Sequence, residues 1–381
     1  MNGISFEPLI SNIGKYGKIF ISVAGLIILF PIYYKGIKRL RFTLNWLLLV
    51  IGVLLVLFAV YNYLYHSLTD MLIYNIVLPV YILFYILIIK LLLRIYKKHE
   101  KPNLIVSFEI FSLIQKTLLI NLIFWIFISV ILKVNMIDSI GNRSGFGAFF
   151  QDKVQFGLYC AVGFLISFYL QCIVNSKSKI NYNLIQMLLY GCLLITTDSR
   201  NSQFIIVIAI SYYILRKKIR YAIIPIILLV LLYVMLEFNS IVSLFSFNYF
   251  NQVTTGRLNI WMLALEEINS KGVFLGSGVF NLNSVVLSKN LGSGFYYLEE
   301  LSFLYFHNSY IELLAAGGVI VLLLFFYLLY QSWLNLKLPE RSIVLSLVIG
   351  GIFESYLVQP FLLISILFWF IILINSMSFF K

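Results

Sequence analysis

Eleven stretches of the chain are apolar over about the length that crosses a bilayer, and this leaves few architectures open. They lie at 18–34, 44–65, 71–93, 118–134, 156–174, 184–197, 204–215, 221–237, 310–330, 342–357 and 361–374. A spanning helix needs about 20 mostly apolar residues, and inside hydrocarbon a backbone must satisfy its own hydrogen bonds, which a helix does along its length. The pattern therefore predicts an all-α, polytopic membrane protein of about 11 helices, within a range of 10–12. The half-apolar segment 103–116 either extends the fourth helix or lies in the interface. Only 11% of the residues are charged, against about 25% in soluble domains, so an ordinary soluble enzyme is excluded.

The formal charge of +13 does not indicate nucleic acid, because the basic residues gather in alternate short loops between apolar runs. One set of loops and termini carries 18 Lys and Arg, the alternating set 9, and Lys116 remains inside or beside a helix. Basic loops stay in the cytoplasm. This bias places the N-terminus outside, the C-terminus inside, and the long polar insert at 238–306 on the outer face. The chain divides accordingly into helices 1–8 over 1–237, a large outer loop over 238–306, and helices 9–11 over 307–381. The start of the sequence lacks a compact apolar core followed by a small-residue cleavage site, so the first helix is expected to be retained. Cys160, Cys172 and Cys192 fall in or near apolar runs and suggest no disulfide framework.

Chemistry is expected in the polar insert and at its edges. Residues 256–269 predict an amphipathic helix with apolar positions at Leu258, Trp261, Leu265 and Ile268. Gly276-Ser277-Gly278 then predicts a tight loop where backbone approaches a ligand or another helix. Arg257, at the helix start, and the free amides of the first turn would together favour an anion. Two more arginines depart from the charge bias on the outer side: Arg143 in Asn142-Arg143-Ser144-Gly145, and Arg200 in a polar turn between two short apolar runs. A cation at membrane depth tends to mark function, and guanidinium forks suit phosphate oxygens. The plainer role for Arg200 is a surface pair with Asp198.

His307 stands just before the next apolar run, followed by Asn308, Ser309 and Tyr310. An imidazole with an ordinary pKa near 6.5 can take a proton from a hydroxyl at physiological pH. Its plainer role is a helix cap at the interface. Carboxylates in reach by sequence are Glu266, Glu267, Glu299, Glu300, Glu312 and Glu354, with no spacing that suggests a metal site, and no phosphate-binding glycine loop follows a strand. No metal or other cofactor is expected. Trp261, Tyr296, Tyr297, Tyr305 and Tyr310 offer ring faces for sugars.

Taken in order, the Ser199-Arg200 turn, the Thr255-Gly256-Arg257 start of a helix with Trp261 one turn on, the Gly276-Ser277-Gly278 loop, and His307-Asn308-Ser309-Tyr310 running into Leu313-Leu314-Ala315-Ala316-Gly317-Gly318 resemble the O-antigen ligase and polymerase family of bacterial membrane glycosyltransferases. The resemblance covers residues 196–330. It implies a GT-C-like membrane fold in the bacterial cytoplasmic (inner) membrane, with the active site on the outer face. The implied substrates are undecaprenyl diphosphate-linked oligosaccharides as donor and acceptor, with membrane lipids and a chain-length regulator protein as further partners. It further implies His307, Arg257 and Arg200 as the catalytic set. Arg143, Asn308, Tyr310, Trp261, Gly276 and Gly278 are expected around the substrate. On this reading the protein polymerises a surface polysaccharide such as O-antigen or capsule. The alternatives are a ligase that moves polymer to a lipid A core and, from another class, a flippase for the same lipid-linked sugar.

Overall fold

The computed structural model describes residues 50, 51, 53, 54, 57, 103–131, 137–140, 143–147, 153–174, 177–216, 257–271, 273–278, 281–290, 305–359 and 362–376. Their elements are α1 (Asn103–Ile131), the strands β1 (Ile137–Ile140) and β2 (Arg143–Phe146), α2 (Lys153–Ile173), α3 (Lys177–Thr196), α4 (Arg200–Arg216), α5 (Arg257–Lys271), α6 (Asn283–Asn290), α7 (Ser309–Trp333), α8 (Leu338–Gly350), a 3-10 turn (Tyr356–Val358) and α9 (Leu363–Ser376). The described residues are mostly helical, and among them three helices are long and apolar enough to cross a membrane: Phe108–Ile128 within α1, then α2 and α7. Predicted spans at 18–34, 71–93 and 221–237 lie outside the described residues, as does nearly all of 44–65.

α2 is the central helix. Most of its surface is buried, against α1, α3, α4, α8 and α9, whereas α1 turns Ile120, Ile123, Phe127 and Val130 outward. Close approach comes from small residues, since lipid tails are as apolar as leucine and helices gain mainly by tight packing. A methyl group on Gly163 would stand 2.5 Å from the Tyr190 ring of α3, and one on Gly157 would stand 2.4 Å from Ser199 at the α3–α4 turn.

One open alternative is resolved and two boundaries differ from expectation. The segment 103–116 joins the fourth apolar run as one helix. The run at 342–357 stops as a helix at Gly350, because Gly351 to Ser355 turn away before the 3-10 element; apolarity alone cannot locate that break. The loop around Asn142 is a two-stranded antiparallel hairpin, in which Ile137 faces Phe146 and Ile140 faces Arg143. It packs on the α3–α4 turn, since a methyl at Gly145 would lie 2.4 Å from the Thr197 carbonyl oxygen.

α5 and α6 form a second, smaller core with Leu282, Phe306, Ile311 and Ala315. The buried stripe of α5 is Ile260, Ala264 and Ile268, spaced four apart, with Trp261 at its edge. Leu265, expected on the inner face, is exposed, because α5 docks on α6 and α7 through the neighbouring stripe.

α7 is interrupted at Gly318, whose φ of 64° and ψ of −168° are not helical. The loop 273–278 takes up the freed backbone groups: Ser277 N donates to Ala315 O at 2.7 Å, Gly278 N to Ala316 O at 2.8 Å, and Val319 N to Val273 O at 2.9 Å. Backbone meets backbone here, so a Cβ on Gly318 would lie 2.1 Å from Phe274 O and one on Gly276 would lie 2.5 Å from Gly317 N. A broken spanning helix is tolerated when protein, rather than lipid, satisfies the break. What approaches Gly276 and Gly278 is thus α7 itself.

Candidate functional site

The entrance to α7 gathers polar side chains from four elements. Asn308 is the N-cap: its Oδ1 accepts from Tyr310 N at 2.9 Å and Ile311 N at 3.1 Å, a role worth about 1 kcal/mol. The cap is therefore Asn308 and not His307. His307 sits immediately before it at φ 51°, a left-handed conformation uncommon for a residue with a Cβ. Its neighbours hold it there. Phe306 N donates to Glu312 Oε1 at 2.8 Å, Trp261 Nε1 donates to Phe306 O at 2.8 Å, and Asn308 N donates to Ser355 Oγ at 3.2 Å. Strain of this kind persists only where surrounding bonds fix it, and it concentrates at functional sites.

Glu354, in the turn between α8 and the 3-10 element, is the hub. Arg257 Nη2 donates to its Oε1 at 2.7 Å, while His307 Nδ1 lies 3.2 Å from its Oε2. Arg257 Nη1 also donates to the Phe353 carbonyl, so the guanidinium is held by two acceptors. Ser309 Oγ donates to Glu354 O at 2.7 Å and accepts from Leu357 N at 3.2 Å, which fixes the turn against α7. Burial pushes the Glu354 carboxyl up, but the hydrogen bond from His307 and the charge of Arg257 outweigh it and hold the group below the usual carboxylate range. An ionised carboxylate only accepts, so the proton of a neutral His307 belongs on Nδ1. Nε2 then carries the lone pair, bonds to no described residue, and sits on a side chain about one third exposed. A carboxylate that orients an imidazole in this way leaves the ring able to act as a base.

A second carboxylate supports the first. Glu312, buried in the first turn of α7, accepts from Phe306 N, from Asn283 Nδ2 at 3.3 Å and from Ser355 Oγ at 3.3 Å. It ties α6 and the turn carrying Glu354 to the His307 bend.

The structure brings together Arg257, His307, Asn308, Tyr310 and Trp261 among the expected residues. Trp261 and Asn308 use their polar atoms on the backbone, and the Tyr310 hydroxyl donates to Val348 O while its ring stacks on Phe326 at 5.6 Å. Arg200 begins α4, exposed, one turn before Phe204, whose ring meets Phe353 at 5.9 Å. It forms no ion pair with Asp198 or with any other described carboxylate. Arg143 lies in β2, on the hairpin that packs against the turn before Arg200. Glu354 is the residue that sequence reasoning underused. Its one signal was a lone charge in an otherwise apolar run.

Spanning helices and a half-buried cluster of arginine, glutamate and histidine at a helix entrance describe a membrane protein with one charged polar site. Residues 185–326 match the family model described as O-antigen ligase, which supports the resemblance of this part of the chain to the O-antigen ligase and polymerase family. The matched range contains Arg200, Arg257, His307 and Glu312, while Glu354 lies beyond it. No curated protein matches the chain.

Proposed function

We propose that the protein is a membrane glycosyltransferase that moves a glycan from a lipid diphosphate to an acceptor hydroxyl. The observation that carries this reading is the shared carboxylate of Glu354, which joins an anion-binding arginine to a histidine with an open Nε2. The acceptor hydroxyl gives its proton to His307 Nε2, its oxygen bonds to the anomeric carbon, and the bond from that carbon to the diphosphate oxygen breaks. The leaving diphosphate keeps the electron pair. Arg257 and Arg200 offset its growing charge, a form of stabilisation that works best from fixed positions. Glu354 keeps His307 in the productive tautomer and favours the imidazolium that forms.

The acceptor separates a polymerase from a ligase. The family description favours a ligase, which moves finished glycan to a lipid core; a polymerase joins lipid-linked repeat units. The test is purified protein in detergent with a lipid diphosphate-linked glycan and either acceptor. Transfer to lipid A core supports the ligase, and longer lipid-linked chains support the polymerase. No transfer to either, together with movement of the lipid-linked glycan across vesicles containing the protein, overturns the glycosyltransferase reading in favour of a flippase.

A further inference from the structure

Away from the His307 site, the first half of α1, the last turn of α2 and the first turns of α3 line an open cavity of about 490 Å³. Its lining includes Phe108, Ser112, Gln115, Lys116, Tyr182 and Asn183. α3 runs from this cavity to the turn before Arg200, about 20 Å from Asn183 to Thr196 at 1.5 Å per residue, so the cavity and Arg200 lie toward opposite ends of that helix. The bias of basic loops assigns the cavity end to the cytoplasm.

The wall is built, not incidental. Gln115 Nε2 donates to Ser167 Oγ at 2.9 Å and to Asn183 Oδ1 at 3.1 Å, and all three side chains are buried. Gln186, one turn along α3 from Asn183, is buried with neither amide atom bonded among the described residues. Lys116 lies within the Phe108–Ile128 spanning segment, and no described residue bonds its ammonium. Among the described residues no carboxylate lines the cavity; Glu109 is two turns earlier on α1, about 10 Å along its axis. A lone ammonium at membrane depth is costly unless an anion or water meets it.

We propose that this cavity binds the phosphate of an anionic glycerophospholipid. Side chains on a helix lean toward its N-terminus, so Lys116 leans toward Ser112 and the basic end of the bundle, where headgroups lie. Ser112 and Tyr182 add hydroxyls for a polar headgroup, and the apolar lining from Phe108 and its neighbours suits the first methylenes of an acyl chain. Among the described lining residues, one lysine and no carboxylate match one phosphate. The proposal is independent of the reaction at His307.

The test is native mass spectrometry of the full chain, delipidated in detergent, with added phosphatidylglycerol or phosphatidylcholine. Wild type and Lys116→Arg should retain phosphatidylglycerol about fivefold better than Lys116→Gln, the worth of one basic residue near an anionic headgroup. Phosphatidylcholine should be retained weakly by all three. Equal retention of phosphatidylglycerol by Lys116→Gln, or equal retention of both lipids by wild type, overturns the proposal and leaves Lys116 as a side chain that reaches the interface. Displacement of phosphatidylglycerol by a smaller amount of polyprenyl monophosphate overturns it too, and assigns the cavity to the lipid carrier.

Discussion

At the entrance to α7, Arg257 and His307 share one largely buried carboxylate, 13% exposed, whereas at the α3–α4 turn Arg200 is exposed and meets no carboxylate among the described residues. Sequence reasoning had grouped the two arginines as equals. Burial separates them. A charge taken out of water needs a fixed partner, so Arg257 is held in one direction by Glu354 and the Phe353 carbonyl. Arg200 stays solvated and keeps its donors for whatever arrives. The first region is organised before a ligand binds, and the second supplies charge that a ligand can recruit.

Arg257→Ala should have the largest effect on this contrast. It removes a phosphate contact and leaves Glu354 buried beside His307 alone. Nearly all transfer activity should go, and stability should fall by less than the about 3–5 kcal/mol of a fully buried ion pair, because both side chains keep some exposure. Arg257→Lys keeps the charge without the fork, so it should hold most of the stability and lose most of the activity. Thermal unfolding in detergent alongside the transfer assay separates the two. An Ala variant as stable and as active as wild type would reduce Arg257 to a charge at a helix end.

His307→Ala should follow, with a loss of about a hundredfold or more in rate and normal insertion in the membrane. His307→Gln keeps a hydrogen bond to Glu354 without useful basicity. If the Gln variant turns over at a wild-type rate, proton transfer is not the role of His307 and it only positions the acceptor.

Glu354 makes the pH dependence of the bonded region testable. Its carboxyl titrates below the ordinary value, so its contribution to stability is fully present above that value and is lost as pH falls through the lowered one. Wild type should therefore lose stability on acidification below about pH 4, the range of ordinary carboxylates. Glu354→Gln should start less stable at neutral pH and lose less on the same acidification. Parallel stability curves for the two proteins would show that Glu354 is not held as an anion.

How far the sequence could be read follows the range of the contacts. The spanning runs at 118–134, 156–174 and 310–330, the helix from Arg257 and the polar start of α7 are local patterns of periodicity and turn chemistry, and they were legible. The hub was not, because Glu354 lies 97 residues from Arg257 and 47 from His307, and no local spacing records such a meeting. The inner face of α5 was misassigned for a related reason: Leu258, Trp261, Leu265 and Ile268 form a regular stripe, but the partner decided which stripe was buried. Gly317 and Gly318 read as small residues in a spanning helix. That they break it, and that loop 273–278 repairs the break, depends on backbone bonds between distant segments.

Arg200→Ala should have the smallest effect on stability, and that is what makes it decisive for the contrast. An exposed side chain with no described partner should change stability by no more than about 0.5 kcal/mol. Its effect on transfer should depend on salt, because a solvated charge is screened within about 8 Å at physiological ionic strength whereas the buried pair at Arg257 is screened much less. Raising salt should therefore slow wild type toward the rate of Arg200→Ala and leave the variant itself little changed. A large loss of stability in Arg200→Ala would show that Arg200 is bonded like Arg257 and dissolve the distinction. Identical salt responses in the two proteins would show that Arg200 meets no anion during the reaction, which leaves Arg257 alone to bind the diphosphate.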